Sequence, residues 1–123
     1  DDTVLSKMDQ AIRDGVERIA SEGGLSSDLE QIFYYAPVPF DQSCVEAVDG
    51  AAQSCGYSAR RIVTGAGHDA CFIAHAAPTS MVFIPCIDGI SHNEVEDIEP
   101  EWSTAGANVM FRAMLSKAGH ADG

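Results

Sequence analysis

The sequence predicts an α/β fold in which helices pack on a mostly parallel sheet. From residue 41 onward, the segments follow the order helix, strand, helix, strand, helix, which is typical of parallel strands covered by helices. The run SMVFIPC at residues 80–86 is continuously apolar, as in a strand buried on both faces. Hydrophobic residues make up 46% of the 123 residues, which is enough for one ordinary core.

The first predicted element is an amphipathic helix over residues 4–21. Asp1 and Asp2 lie at the positive end of its dipole, and Gly23 and Gly24 supply the stop. Apolar residues recur at helical spacing, namely Leu5, Met8, Ile12, Val16 and Ile19.

A strand is predicted next, at residues 29–35, because the segment LEQIFYY is rich in aromatic and β-branched residues. Pro37 and Pro39 end regular pairing and indicate an extended linker.

A second helix is predicted over residues 43–55. Ser43 and Glu46 have the spacing of a capping box, and Gly56 closes the helix. Its buried stripe is Val45, Val48, Ala52 and Cys55.

Two predicted strands, at residues 58–63 and 80–86, flank a short helix. The segment GAGHDA at residues 65–70 indicates a tight turn that opens a small-residue helix over residues 69–77, which Pro78 terminates.

The last helix is predicted to begin around Pro100, a favourable first-turn residue, and to end at Gly119. One of its faces carries Trp102, Ala105, Val109 and Ala113.

The predicted elements fall into two regions, residues 1–38 and residues 39–123. The first region has one helix and one strand, which is too little for a domain, and the second resembles half of an open α/β sheet. Because the chain begins with Asp and opens directly on a helix, we expect a piece of a longer polypeptide.

The net charge of −12 argues against nucleic acid as a partner, because phosphate contacts require clustered Lys and Arg. No segment has the length and apolar character of a membrane span, and no export or lipidation signal is present. The four cysteines contain no C-x-x-C pair and are expected to be reduced core residues. These observations predict a cytoplasmic protein that binds neither nucleic acid nor membrane.

Two histidines, His68 and His92, stand out as candidates for chemistry. Each lies in a loop among glycines or small residues, just after a predicted strand, where open α/β sheets bind ligands. His92 is either a metal ligand, with Asn93, Glu94 and Glu96 as acceptors for its second ring nitrogen, or a solvated loop residue.

His68 has two interpretations as well. At a helix N-terminus it is either a proton donor or oxyanion stabiliser, with Asp69 capping the helix, or a capping or core histidine without a chemical role. His75 and His120 are interpreted as structural or solvated.

Two other groups are weaker candidates. The acidic stretch lacks the glycine-punctuated pattern of a calcium loop and is expected to be a solvated lead-in to the last helix; its members are Glu94, Glu96, Asp97, Glu99 and Glu101. Nucleophilic catalysis by Cys71 or Cys86 remains an alternative, although neither has an evident activating neighbour.

Taken together, TGAGHDA at residues 64–70 and PTSMVFIPCIDGISHNEVE at residues 78–96 closely resemble the C-terminal blocks of the hydantoinase/carbamoylase family of amidohydrolases. The family pattern is S-G-A-G-H-D-A, a strand ending I-F-I/V-P, and G-I-S-H-N-P-x-E. The departures are Thr64 in place of Ser and Glu94 in place of Pro.

The resemblance implies a role for each matching residue. His92 corresponds to the last metal ligand, and His68 to a histidine that contacts the substrate and stabilises the tetrahedral intermediate. The residues expected to shape the two loops are Gly65, Gly67, Gly89 and Ser91. Asp69 and Glu96 are expected to support the histidines, with Glu96 anchoring its loop.

The resemblance also implies a metallo-exopeptidase-like catalytic domain for residues 39–123 and the end of a lid or dimerisation domain for residues 1–38. It implies two divalent metal ions in each active site, which are either Zn²⁺ or one of Mn²⁺, Co²⁺ and Ni²⁺. It also implies a linear ureido or amide substrate and a homodimer. The remaining ligands and the general base would lie in the remainder of the catalytic domain, so the chain alone is expected to be inactive. The alternative is a non-catalytic α/β binding or assembly module.

Overall fold

The computed structural model describes residues 1–119, so His120 lies outside the described part. Within it, four α-helices and one 3₁₀ turn at Ile87–Gly89 make up the regular structure, and no strand is present. The helices are α1 (Asp2–Glu22), α2 (Gln42–Ser54), α3 (Asp69–Ile73) and α4 (Pro100–Ala118). The chain forms two compact units, Asp1–Val38 and Pro39–Gly123.

The first unit contains α1, which confirms the predicted N-terminal helix. The carboxylate of Asp1 accepts a hydrogen bond from the backbone N–H of Thr3 at 2.8 Å and caps the helix. At the other end the N–H of Gly23 donates to the carbonyl of Ile19 at 3.0 Å. Gly24 follows with a φ of 63°, a left-handed conformation that glycine adopts without steric cost.

The apolar face of α1 remains largely exposed. Met8 is 57% exposed, Ile12 58% and Ile19 59%, and of the helix residues only Ala20 is buried. The predicted stripe therefore exists, but the described residues do not cover it.

Residues 29–35 do not form the predicted strand. A strand requires backbone hydrogen bonds to a neighbouring strand, and the described residues provide none for this segment. Ile32 is 82% exposed. The segment is attached to α1 by a hydrogen bond that the hydroxyl of Tyr34 donates to the carboxylate of Asp2. The segment therefore has the composition of a β-strand but does not pair with another strand among the described residues.

The second unit is built on the packing of α2 against α4. Its core contains Ala51 and Ala52 from α2 and Val109 and Ala113 from α4. Small side chains on α2 let the helices approach closely, in agreement with the predicted apolar faces.

The N-cap of α2 is Asp41, which corrects the predicted capping box at Ser43. Its carboxylate accepts a hydrogen bond from the backbone N–H of Cys44 at 2.9 Å, while the Ser43 hydroxyl donates to the same carboxylate. Both hydrogen bonds lower the pKa of the Asp41 carboxyl, and the bond from Ser43 has the larger effect. The N–H of Asp41 also donates to the carbonyl of Thr79 at 3.1 Å, which ties residues 79–80 to the start of α2.

Residues 80–86 lie against the two helices but do not form the predicted strand, and residues 58–63 also lack strand pairing. As at residues 29–35, the parallel neighbour that such a strand needs is not found within residues 1–119. The contact with α4 is nonetheless close. A Cβ added to Gly106 would lie 2.5 Å from Cγ2 of Ile84, so only glycine permits this approach.

An open groove of about 980 Å³ runs along this unit. Its apolar lining includes Val82, Ile84, Trp102 and Val109. The predicted sheet is not confirmed, because no strand is present within residues 1–119. As a result, the apolar side chains that line the groove are accessible.

α3 ends at Ile73, four residues before the predicted end. The chain then tightens, as the N–H of His75 donates to the carbonyl of Phe72 and that of Ala76 to the carbonyl of Ile73. Pro78 disfavours helical geometry in Ala77, so the helix does not resume after this turn.

α4 begins at Pro100 and ends at the C-cap Gly119, as predicted. Among the described residues, no helix is both long and apolar enough to cross a membrane. The four cysteines are free, as expected, but they are half-buried, whereas core positions were predicted for them. They are Cys44, Cys55, Cys71 and Cys86.

Candidate functional site

The two candidate histidines lie on separate loops of the second unit. His68 ends the 64–68 loop, immediately before α3, and His92 lies in the 86–96 loop between the apolar segment and α4. No hydrogen bond joins the two loops within residues 1–119. Each loop is organised by one polar side chain of its own.

The 64–68 loop is organised by Thr64. Its hydroxyl oxygen accepts a hydrogen bond from the backbone N–H of Ala66 at 3.1 Å and lies 2.9 Å from Nε2 of His68. The ring of Phe83 meets the imidazole edge-on, with 5.4 Å between the ring centroids. The half-buried His68 ring is therefore held on two sides.

The predicted arrangement of His68 with α3 requires correction. His68 is the N-cap residue by backbone position, but its side chain makes no capping hydrogen bond. Asp69 lies in the first turn and is exposed, so it does not cap the helix. Because α3 has only five residues, its dipole offers little to a ligand.

Gly65 and Gly67 were expected to shape this loop. A Cβ at either position would meet no described atom within 4 Å, and neither residue has a positive φ. Within residues 1–119 nothing requires glycine there.

The 86–96 loop is organised by Glu96. One carboxylate oxygen accepts a hydrogen bond from the backbone N–H of His92 at 2.7 Å, and the other accepts from the Cys86 thiol at 3.7 Å. The backbone N–H of Ile87 also donates to the carbonyl of Asp97 at 2.8 Å. Both ends of the loop are thereby fastened together.

This contact changes the chemistry expected of Cys86. Burial raises the pKa of its thiol, and the negative charge and hydrogen bond of Glu96 raise it further. A raised pKa disfavours the thiolate that acts as nucleophile. The geometry therefore argues against the cysteine-hydrolase alternative at this position.

The backbone of the loop turns through left-handed conformations. Gly89 has a φ of 69°, while Asp88 and His92, which carry side chains, each have a φ of 55°. A non-glycine residue in this region costs on the order of 1–2 kcal/mol. The hydrogen bond that the backbone N–H of His92 donates to the Glu96 carboxylate offsets part of that cost. Ser91 is exposed, and its side chain makes no hydrogen bond to the described residues.

The imidazole of His92 is exposed and makes no hydrogen bond to the described residues. Of the three residues expected to accept from its second ring nitrogen, Glu96 binds the backbone N–H of His92 instead, as a loop-anchoring residue would. Asn93 turns its side chain to the backbone of Val95 at 3.1 Å. The ring nitrogens of His92 thus remain available.

His92 is a donor of the type that a divalent ion such as zinc binds. Within residues 1–119, however, no group of three or more His, Cys, Asp or Glu residues could hold a metal ion. The acidic residues before α4 do not assemble such a group either. Among the described residues, His92 is therefore a candidate ligand outside any group large enough to hold a metal ion.

Sequence reasoning missed two contacts of this site, those of Thr64 with His68 and of Cys86 with Glu96. The four-residue spacing of Thr64 and His68 was visible, but in a loop such spacing does not predict contact as it does in a helix. No sequence signal pointed to Cys86 and Glu96, which are ten residues apart.

The chain is similar in sequence and in fold to proteins of known family. It aligns with a solved amidase of the hydantoinase/carbamoylase family from Burkholderia multivorans at a TM-score of 0.90 and 66% identity, covering 96% of this chain and 29% of that one. Residues 4–116 match the Peptidase family M20/M25/M40, so the chain belongs to this family. The predicted resemblance to hydantoinase/carbamoylase amidases is confirmed.

Two curated relatives carry names that describe an activity. An N-carbamoyl-L-amino-acid amidohydrolase of Rhizobium meliloti is 46% identical over an alignment 122 residues long that covers 93% of this chain and 29% of the relative. The allantoate amidohydrolase of Escherichia coli K12 is 33% identical over 96 residues, covering 78% of this chain and 23% of the relative. The chain therefore spans less than a third of the proteins it matches.

Proposed function

We propose that the complete protein is an amidohydrolase that cleaves the C–N bond of a linear ureido or carbamoyl compound. The candidate substrates are N-carbamoyl amino acids, β-ureidopropionate and allantoate. The observation that carries this proposal is the 46% identity to an N-carbamoyl-L-amino-acid amidohydrolase over nearly the whole chain. The 86–96 loop supplies the supporting geometry, since it presents an unengaged imidazole.

In this proposal His92 is a ligand of one of two divalent metal ions. These ions are either Zn²⁺ or one of Mn²⁺, Co²⁺ and Ni²⁺. Such ions supply Lewis-acid activation of water at neutral pH when they are bound. The exposed His92 ring and the Glu96 contact at its backbone suit a ligand whose position must be defined.

His68 serves the substrate in the same proposal. Its ring is steadied by Thr64 and Phe83 and donates a hydrogen bond to the oxygen on which negative charge develops. A fixed donor of this kind stabilises the transition state more than the ground state.

The rest of the machinery belongs to the remainder of the catalytic domain. Because no group of residues that could hold a metal ion assembles within residues 1–119, we expect the chain alone to be inactive. We further propose that residues 1–38 form the end of a lid domain, and that the complete protein is a cytoplasmic homodimer. The exposed apolar face of α1 is consistent with a covered position in a larger assembly.

The test is an assay of the complete protein on N-carbamoyl-L-amino acids, β-ureidopropionate and allantoate. We expect hydrolysis of one of them, loss of activity with a chelator and recovery when zinc or manganese is added. Replacement of His92 by Ala should abolish activity, whereas replacement of the exposed His75 by Ala should leave it intact.

Two outcomes would contradict the proposal. Activity that survives the chelator and disappears on thiol alkylation would support a cysteine hydrolase. No activity on any of the three substrates, in protein loaded with metal, would support the non-catalytic module.

A further inference from the structure

We propose that Thr64 is a positioning residue that holds the neutral imidazole of His68 in the tautomer with its proton on Nδ1. His68 then meets its ligand as an Nδ1–H donor. The identity of that ligand, an oxygen of the ureido substrate, rests on the proposed function. The tautomer itself rests only on the hydrogen bonds of the 64–68 loop.

The hydroxyl group of Thr64 can donate one hydrogen bond and accept two, because it has one proton and two acceptor lone pairs. One lone pair is taken by the backbone N–H of Ala66 at 3.1 Å. The remaining partner is Nε2 of His68 at 2.9 Å, and among residues 1–119 no other acceptor lies within hydrogen-bond distance of the hydroxyl.

The hydroxyl proton therefore goes to Nε2. A nitrogen that accepts a hydrogen bond carries no proton, so in the neutral ring the proton lies on Nδ1. The opposite tautomer would donate from Nε2 and leave the hydroxyl proton of the half-buried Thr64 without an acceptor among residues 1–119. The Ala66 N–H favours the first arrangement further, because a hydroxyl that accepts a hydrogen bond is a stronger donor.

Nδ1 has no competing partner in the described residues. The His68 side chain makes no capping hydrogen bond to α3, and Phe83 contacts the ring edge-on without a polar atom. The loop therefore fixes the ring through Nε2 and leaves Nδ1–H for an incoming group. A donor held in this way suits an oxygen that gains negative charge.

The experiment uses the complete protein labelled with ¹⁵N-histidine, with the His68 signals assigned by their loss in His68→Gln. Spectra are recorded above about pH 8, where an ordinary imidazole is neutral. Thr64→Val removes the hydroxyl at nearly equal volume, and Thr64→Ser retains it. Thr79→Val is the matched control, because it removes a hydroxyl that donates to the carbonyl of Ala77 outside the 64–68 loop.

We expect a protonated Nδ1 and an unprotonated Nε2 in the unaltered protein, in Thr64→Ser and in Thr79→Val. In Thr64→Val the signals should shift toward the Nε2–H tautomer. With the substrate that the protein hydrolyses, Thr64→Val should lower kcat by about tenfold and change KM little, because one oriented donor to the transition state is lost. Thr64→Ser should restore kcat.

An Nε2–H tautomer in the unaltered protein would overturn the assignment. An unchanged tautomer in a folded Thr64→Val protein would do the same, and if that variant does not fold, the spectra of the unaltered protein and of Thr64→Ser decide. The spectra need no substrate, so the expected tautomer without any hydrolysis contradicts the proposed function alone. Hydrolysis together with an Nε2–H tautomer contradicts the role of Thr64 alone.

Discussion

The carboxylate of Glu96 holds the backbone N–H of His92 at 2.7 Å, and its second oxygen accepts from the thiol of Cys86. A single side chain therefore joins the start of the 86–96 loop to the candidate metal ligand. Because His92 has a left-handed backbone with a φ of 55°, this contact stabilises a conformation that the residue rarely adopts.

The first prediction concerns Glu96→Ala in the complete protein. Loss of both contacts should loosen the loop and weaken zinc binding by about tenfold or more, the range typical of groups that orient a ligand. The measurement is zinc competition against a chromogenic chelator. Glu94→Ala is the control, since Glu94 is exposed, lies in the same loop and makes no side-chain hydrogen bond to the described residues. Equal affinity of the two variants would contradict the role of Glu96.

The second prediction concerns the reactivity of Cys86. Burial and the charge of Glu96 raise the pKa of its thiol, so the thiolate fraction at neutral pH is small. Glu96→Gln removes the charge and should lower that pKa, which speeds alkylation of Cys86 by iodoacetamide. Mass spectrometry gives the rate at each cysteine, and Cys44, Cys55 and Cys71 serve as internal controls. A slower or unchanged rate at Cys86 would show that the carboxylate does not govern the thiol.

The third prediction concerns the cap of α2. The pKa of Asp41 is lowered in the folded state, so its carboxylate stabilises the fold above the usual carboxyl pKa of 3.8. That contribution is lost as the pH falls through the lower folded value. Asp41→Ala should lower the thermal midpoint by a few degrees at pH 7 and reduce its acid dependence.

Asp41→Asn separates the two effects of the cap. Asn caps helices well but carries no charge, so this variant should keep most of the midpoint at pH 7 and lose the acid dependence. An acid dependence identical to that of the unaltered protein would show that Asp41 does not titrate as proposed.

The fourth prediction concerns Gly106. Its added Cβ would lie 2.5 Å from Cγ2 of Ile84, so Gly106→Ala should destabilise the protein by about 1–3 kcal/mol despite the better helix propensity of Ala. Gly50→Ala is the matched control, because Gly50 is also helical and has no atom within 4 Å of the added Cβ. Chemical denaturation should show stabilisation of Gly50→Ala by up to about 1 kcal/mol. In an Ile84→Ala background the penalty at position 106 should disappear.

The helices were predictable because their signals are local. The spacing of apolar residues in α1 and α4, the glycines at their ends and Pro100 act within one or two turns of the helix. The two histidines were predictable as candidates because of the motifs around them. The family assignment followed from those motifs and is confirmed.

The strands were less predictable from this chain, because a strand exists through its neighbour. Residues 80–86 have the composition of a buried strand and pack on α4, yet no described segment pairs with them. The cap of α2 was misplaced by two residues for a related reason. Asp41 has the extended backbone of an N-cap residue and donates its backbone N–H to the carbonyl of Thr79, which is distant in sequence.

Local sequence patterns are enough to predict where α1 and α4 begin and end, which two histidines are candidates and which family the chain belongs to. Each of these follows from residue types at short, regular separations. The tertiary structure alone decided that Glu96 binds the backbone and not the ring of His92, that Thr64 contacts Nε2 of His68, and that Gly106 admits Ile84. These contacts depend on the path of irregular backbone and on the meeting of distant segments, which no local pattern encodes.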